Sequence, residues 1–387
     1  MQLIEQVARE FTARYGKPAV LVKAPGRINL IGEHTDYNEG WVMPAAIDRH
    51  VALALATNGT NTCRVFAMDY QQAVEFSLDE LKPGPGWVNY LMGMLQGLRQ
   101  IGFPLQGVDC VIASSIPVGA GLSSSAALCC GFGYAINEVW GFQLARLGIA
   151  KIAQYAEHHF AGVKCGLMDQ YASLFGVTGA ALLLDCRTLT HEEIPARFEQ
   201  YQLLLIDTKV KHTLGDTAYN DRREACETGV AILQKKHPSV QSLRDVNNSM
   251  LVQHQDQLGQ DVFAKCRYVV EEMARTQRAA AFLKQNDLTG FGACMFETHW
   301  GLSRTYEVSC PELDLLVSLA EDEKDAIAGA RMMGGGFGGC TINLIKKDKI
   351  DFIKGYVHEK YFATFDIEPD FYLVNLSQGV HQVHLKP

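Results

Sequence analysis

Residues 117–127, Pro-Val-Gly-Ala-Gly-Leu-Ser-Ser-Ser-Ala-Ala, follow the strand-like run Val108 to Ser114 and lead straight into an apolar helical pattern. Few backbones can make that transition. Gly119 and Gly121 give the turn conformations that other residues avoid and let the main chain come close to a bound group. The serines offer hydroxyls and an N-cap, and the helix start that follows presents unpaired N–H groups carrying partial positive charge. The segment reads as an anion site or, at its plainest, as a capped helix after a tight turn. It is not a Walker A loop, because no lysine follows Gly121.

A second glycine run, Gly334-Gly-Gly-Phe-Gly-Gly-Cys340, satisfies GxGxxG at Gly334, Gly336 and Gly339. A dinucleotide fingerprint must open a helix, whereas here Cys340-Thr-Ile-Asn-Leu-Ile345 continues as strand, so that reading fails on context. A hairpin loop is the remaining local reading. Residues 26–37, Gly-Arg-Ile-Asn-Leu-Ile-Gly-Glu-His-Thr-Asp-Tyr, crowd fixed polar groups into one short stretch. Sugar hydroxyls both donate and accept, so acceptors such as Glu33 and Asp36 with a two-way group such as His34 suit a sugar site. The alternative is a solvated, charged turn.

The 387 residues are comfortable for two domains, and a formal charge of -8 without a long basic run makes nucleic acid an unsuitable partner. Leu3, Ile4, Val7, Ala8, Phe11 and Tyr15 are spaced as an amphipathic helix rather than a signal peptide. No apolar run approaches the roughly 20 residues that span a bilayer, so no membrane partner is expected. Eleven cysteines without metal-ligand spacing fit reduced, mostly buried thiols in a cytoplasmic protein. The sequons at Asn58 and Asn248 then carry no meaning.

Strands are expected at Ala19 to Ala24, Ile47 to Thr57, Thr62 to Ala67, Val108 to Ser114, Ala180 to Asp185 and Leu203 to Asp207. Helices are expected at Asn89 to Gln100 and near 123–138 and 145–159. From about residue 217 the pattern is mainly helical, over 217–236, 262–284, 287–306 and 311–322. It ends in strands near 326–333, 341–346 and 371–375 around a helix near 351–362. Strands and helices mix without a βαβ repeat, which gives an α+β class. The division is expected within 176–200 and is set at 185, giving domains 1–185 and 186–387, with the last strand free to pack back on the first domain.

The three motifs together, in their order along the chain, closely resemble those of galactokinases, within the wider family of kinases acting on galactose, homoserine, mevalonate and phosphomevalonate. The resemblance runs from Ala24-Pro-Gly-Arg27 to Gly339-Cys340. It implies a ribosomal-protein-S5-like N-terminal domain, a ferredoxin-like C-terminal domain and an active site between them, with galactose and ATP as substrates and Mg2+ as cofactor. Asp169 sits alone in the uncharged run Cys-Gly-Leu-Met-Asp-Gln-Tyr-Ala-Ser at 165–173, and its residues alone leave it either buried for work or capping a helix. By resemblance it is the catalytic base, with Arg27 steadying developing charge. Glu33, His34, Thr35, Asp36, Gly166 and Tyr219 are implied at the sugar, Gly166 through its backbone. Gly119, Ala120, Gly121, Leu122, Ser123, Ser124 and Ser125 are implied at the ATP phosphates, and Trp87 and Tyr90 beside adenine. Ser125 and Glu157 are the implied metal ligands. The neighbours His158 and His159 face different ways on a helix and do not suit a metal. A monomer is expected. The alternatives are a sister kinase for N-acetylgalactosamine or arabinose and a galactose-sensing regulator without catalysis. A hydrolase built on Ser123 to Ser125 lacks the GxSxG elbow.

Overall fold

The computed structural model describes residues 2–117, 119–210 and 215–385. Helix α1 (Leu3–Tyr15) forms because Ile4, Val7, Ala8 and Phe11 share one buried side, Glu5 takes the Gln2 N–H at 3.1 Å, and Gly16 at φ +92° ends it. The chain continues through β1 (Val20–Asn29), β2 (Trp41–Val42), β3 (Pro44–Thr57), β4 (Thr62–Ala67) and β5 (Gln72–Ser77). Then come α2 (Val88–Gln100), β6 (Val108–Ser114), α3 (Ser124–Trp140), α4 (Arg146–Ala156) and α5 (Met168–Phe175).

The second half holds β7 (Ala180–Asp185), β8 (Thr190–Pro195), β9 (Tyr201–Asp207), α6 (Gly215–Gln234), α7 (Asn248–Gln253) and α8 (Gln255–Lys284). It ends with α9 (Leu288–Gly301), α10 (Pro311–Asp322), β10 (Ile327–Met332), β11 (Cys340–Lys346), α11 (Ile350–Phe365), β12 (Asp370–Val374) and β13 (His381–Gln382).

A six-stranded sheet runs in the order β13-β1-β3-β6-β4-β5, with β4 and β6 parallel. Its residues alternate between two cores. Leu21, Ala52, Ala54, Phe66 and Val111 meet α1, while Val22, Leu53, Leu55, Val65, Cys110 and Ile112 face the core formed with α2 to α5. Burial on both faces explains why these strands are almost wholly apolar. The second half builds an antiparallel sheet, β10-β11-β9-β12, under α9 to α11. The short β13 returns to β1, pairing Gln382 with Val22 and His381 with Lys23.

The β7–β8 hairpin joins β2 in a third sheet and runs across residue 185, so a division there would cut a ladder; the four-stranded sheet starts at Tyr201. Strands β5 and β8 carry many polar residues on exposed edges, and the short α5 has only two turns; the sequence reading assigned none of the three. Helix α8 starts earlier than expected and breaks at Gly259, φ +71°. The expected helices 145–159 and 287–306 both end in wide π-type turns, Glu157–Ala161 and Leu302–Tyr306. Among the described residues no helix is long and apolar enough to cross a membrane. All eleven cysteines are free, and only Cys165 and Cys186 are less than buried.

Helix α9 lies so close on β10 that a Cβ on Gly292 would meet the Ala328 carbonyl oxygen at 1.7 Å. Gly292→Ala is therefore expected to lower stability by about 1–3 kcal/mol or more, read as a lower urea midpoint at unchanged slope. An unchanged midpoint would show that the two elements separate without cost.

Candidate active site

The register of β1 against β3 shifts between Pro25 and Arg27, which turns Arg27 toward the start of α3. Gly26 is required there, since a Cβ would sit 2.7 Å from the Leu122 carbonyl oxygen. The Arg27 amide donates to that same oxygen at 3.2 Å. Its guanidinium donates to both Asp169 oxygens, Nε to Oδ1 and Nη2 to Oδ2, each at 2.7 Å, and Nη1 donates to the Gly121 carbonyl at 2.7 Å. One side chain thus joins β1, the loop 119–123 and the first turn of α5. Ser123, at φ +52°, does not cap α3 with its side chain as the sequence suggested; its hydroxyl donates to Asp169 Oδ2. Among the described residues no side chain caps the start of α3, so its first amides suit another acceptor.

Three cavities meet at Ser125. One of about 390 Å³ is lined by Arg27, Glu33, His34, Asp36, Glu157, Gly166, Asp169 and Tyr219, together with Tyr90 and Gly334 to Gly336. A second, of about 440 Å³, lies between the loops 119–125 and 334–339. A third, of about 420 Å³, is the apolar one and holds Trp87, Tyr90, Ile112, Ile116 and Leu128 beside Ser124 and Ser125. The sequence-derived residues are therefore brought together, with two exceptions: Ala120, which is fully buried in the core and lines none of the three, and Thr35. The Thr35 hydroxyl is fully buried within reach of the Gly32 and Trp41 carbonyls, at 3.0 and 2.7 Å, and folds the loop instead of facing the cavity.

The carboxylates are packed tightly. A Cβ on Gly166 would fall 1.9 Å from Asp36 Oδ2, so this glycine makes room for the Asp36 side chain. Burial, then the neighbouring Asp169, pushes Asp36 up to about 7. Glu157 opens the wide turn after α4 and accepts from Gln170 at 3.0 Å; burial and Asp169 push it, too, up to about 7. Glu33 is held differently. Its Oε1 accepts from Arg331 at 2.9 Å and from the Gly334 amide at 2.9 Å.

Arg331 and its neighbours were missed by sequence reasoning. Arg331 is fully buried, donates to the Leu30 carbonyl at 2.9 Å and also bonds Asn29 O, and so fastens β10 to the polar loop. Its signal was a lone charge in the apolar strand ahead of Gly334. The buried Glu272 of α8 accepts the Gly32 amide at 2.9 Å and bonds Thr298 and Arg275. A glutamate in a long helix gave no such signal. His158 binds the Cys165 carbonyl at 2.7 Å.

A phosphate-sized loop at a helix start, a polar cavity and an apolar one, all between two α+β halves, define a small-molecule kinase of the GHMP class. The GHMP kinases N terminal domain matches residues 89–177, the GHMP kinases C terminal domain 279–363, and the galactokinase galactose-binding signature 9–57. The galactokinase of Roseiflexus sp. is 38% identical over 380 residues, covering 98% of this chain and 97% of that one. That of Thermotoga maritima is 38% identical, over 94% of this chain and 99% of its own. The crystal structure of Lactococcus lactis galactokinase complexed with galactose superposes with a TM-score of 0.94 at 30% identity, over 99% of this chain and 100% of that one. The Methanococcus jannaschii mevalonate kinase shares the fold alone, with a TM-score of 0.63 at 18% identity over 94% of this chain and 100% of that one. The chain belongs to the galactokinase family.

Two outcomes follow from the crowded carboxylates. Gly166→Ala is expected to displace Asp36 and raise the sugar Michaelis constant at least about tenfold while the ATP constant stays within twofold, as steady-state kinetics would show. Asp36 holds its proton more firmly in the folded chain than at the ordinary 3.8, so its contribution to stability is lost as pH rises through about 7. Asp36→Asn, uncharged throughout, should therefore raise the Tm of the ligand-free protein at pH 8 by roughly 2 °C or more, with the gap narrowing below pH 7 and closing only below the ordinary 3.8. A gap independent of pH would assign the gain to something other than the buried charge.

Proposed function

We infer that the chain transfers the γ-phosphate of ATP to the anomeric hydroxyl of α-D-galactose, giving galactose 1-phosphate and ADP. The observation that carries this reading is the position of Asp169, clamped by Arg27 and Ser123 at the junction of the polar cavity and the helix-start loop. Family membership supplies the substrate class; the cleft supplies residues able to do each part of the work.

On the nucleotide side, the apolar cavity with Trp87 and Tyr90 suits a purine face, and the amides of 119–125 at the start of α3 suit its phosphates. On the sugar side, Glu33, His34, Asp36 and Tyr219 line the polar cavity, and Gly166 acts by admitting Asp36. Asp169 Oδ2 already accepts from Arg27 and Ser123, whereas Oδ1 accepts only from Arg27 among the described residues. A carboxylate oxygen has two acceptor sites, so Oδ1 is the atom that receives the sugar proton as the anomeric oxygen attacks. Arg27, anchored on Gly121, stands beside the bond being formed and offsets the negative charge of the transfer.

The residues also fit Mg2+. Glu157 is a buried carboxylate pushed up to about 7 beside Asp169, a repulsion that a cation would relieve, and the Ser125 hydroxyl lines the same cavity. These hard oxygen donors are the type Mg2+ takes along with phosphate oxygens, and Glu157 and Ser125 would hold it. When bound, Mg2+ would neutralise charge on the transferring phosphate. The free, mostly buried thiols support a reducing, cytoplasmic setting.

A coupled assay over a sugar panel, with the product identified by phosphorus NMR, tests the reading. Galactose is expected to be the best substrate, phosphorylated at the anomeric oxygen; phosphate on the sixth oxygen, or a better N-acetylgalactosamine or mevalonate substrate, would overturn it. Asp169→Asn should lower kcat by about 10² to 10⁴ while galactose binding by calorimetry persists. Turnover near the original rate would remove the base and leave Asp169 a purely positioning role.

A further inference from the structure

Glu157 and Asp169 come from different elements, and one amide ties them together. Gln170, next to Asp169 in the first turn of α5, is fully buried, and its Nε2 donates to Glu157 Oε1 at 3.0 Å. The same Nε2 lies 3.6 Å from the Cys165 thiol, whose Sγ is in turn 3.6 Å from Glu157 Oε2. Cys165 is itself fixed through its carbonyl oxygen, which accepts from Gln154 at 3.2 Å and from His158 at 2.7 Å. Three side chains thus close a small ring at the wide turn Glu157–Ala161. Glu157 and Cys165 line the polar cavity, whereas Gln170 stands behind them.

Gln170 is a costly residue to bury there. Among the described residues its Oε1 is buried without a hydrogen-bond partner, a loss that an apolar side chain of similar length would avoid. The direction of the amide follows from Glu157. A cation takes that carboxylate in its charged form, in which both oxygens only accept, so Gln170 has to present Nε2 and leave Oε1 idle. Arginine or lysine could donate as well, but a positive charge there would compete with a cation for the same carboxylate. A neutral donor holds Glu157 without competing. The two oxygens of Glu157 are then unequal. Oε1 takes an amide bond, while Oε2 meets only a thiol at 3.6 Å among the described residues, a weak donor that leaves room for a second partner.

We propose that Gln170 is a positioning residue that fixes Glu157 with Oε2 as the oxygen offered to the cation. The inference rests on the assignment of Glu157 to Mg2+ made above. Residues 169 and 170 are consecutive on one helix, so the turn that presents Asp169 to the reacting hydroxyl also holds the carboxylate that meets the cation. Base and cation ligand are thereby kept at a fixed separation.

Calorimetry of a non-hydrolysable ATP analogue, with Mg2+ and without it, reads the contribution of the cation to binding in the absence of turnover. Gln170→Met keeps the length of the side chain and removes the donor. It should weaken the Mg2+-dependent part of the affinity about tenfold, the usual scale for losing a group that orients a metal ligand. The Mg2+-free affinity and galactose binding should stay within about twofold, and kcat should recover as Mg2+ is raised. Glu157→Gln should weaken the Mg2+-dependent part at least as much. Because Gln170 acts through Glu157, the double variant should match Glu157→Gln within about twofold. If Gln170→Met does not fold, Gln170→Leu, which also lacks the donor, takes its place with the same expectation. Wild-type Mg2+ dependence in the Gln170 variant, a loss that adds in full to that of Glu157→Gln, or an equal loss with and without Mg2+ would overturn the proposal. Unchanged Mg2+ dependence in Glu157→Gln would overturn the metal assignment, and this inference with it. Absence of galactose turnover in the wild type would overturn the proposed function instead, while the calorimetry would still judge Gln170.

Discussion

The Arg27–Asp169 pair is the contact on which the rest of the site depends. Its partners are 142 positions apart in the chain, and the guanidinium also holds the Gly121 carbonyl, so a strand, a glycine loop and a helix start meet at one side chain. The pair is mostly shielded from water, with side-chain exposures of 7% and 23%. Removing one member would strand the other's charge in a poorly solvated place, which is much costlier than losing an exposed ion pair. The strand bulge at Arg27, the missing Cβ of Gly26 and the left-handed backbone of Ser123 are all local departures from regular structure that serve this contact.

A second set of ties fixes the polar loop. Arg331 from β10 and Glu272 from α8 reach the loop 29–33 from the opposite half of the molecule, through Glu33, the Leu30 carbonyl and the Gly32 amide. Groups fixed before the substrate arrives need little rearrangement during transfer. The cost is visible in the same place. Asp36 and Glu157 are crowded near Asp169, and burial together with that neighbour pushes both up to about 7, so folding keeps protons on groups that would ordinarily be charged.

Much of this was legible from local pattern. The strand Val108–Ser114, the glycine–serine loop and the helix behind it follow from turn chemistry and periodicity, and the Gly334 loop was separable from a dinucleotide fold by the strand after it. Strand β5 and strand β8 were not legible, because an exposed edge strand has only weak hydrophobic alternation. Thr35 was implied at the sugar by resemblance alone; the Gly32 and Trp41 carbonyls occupy its hydroxyl, and a hydroxyl's direction cannot be read from sequence. Arg331 and Glu272 act through contacts hundreds of residues distant, and only the fold brings their partners within reach. What local sequence shows is chemistry that one short segment completes by itself.

A double-mutant cycle on stability, comparing Arg27→Ala, Asp169→Ala and the double variant by urea unfolding, tests the organising role of the pair most directly. Each single change should cost more than its lost contacts, because it strands a charge, and the double variant should be more stable than the sum predicts by about 1–3 kcal/mol. Additive effects, with a coupling near zero, would contradict the account and reduce the pair to two side chains that happen to lie together.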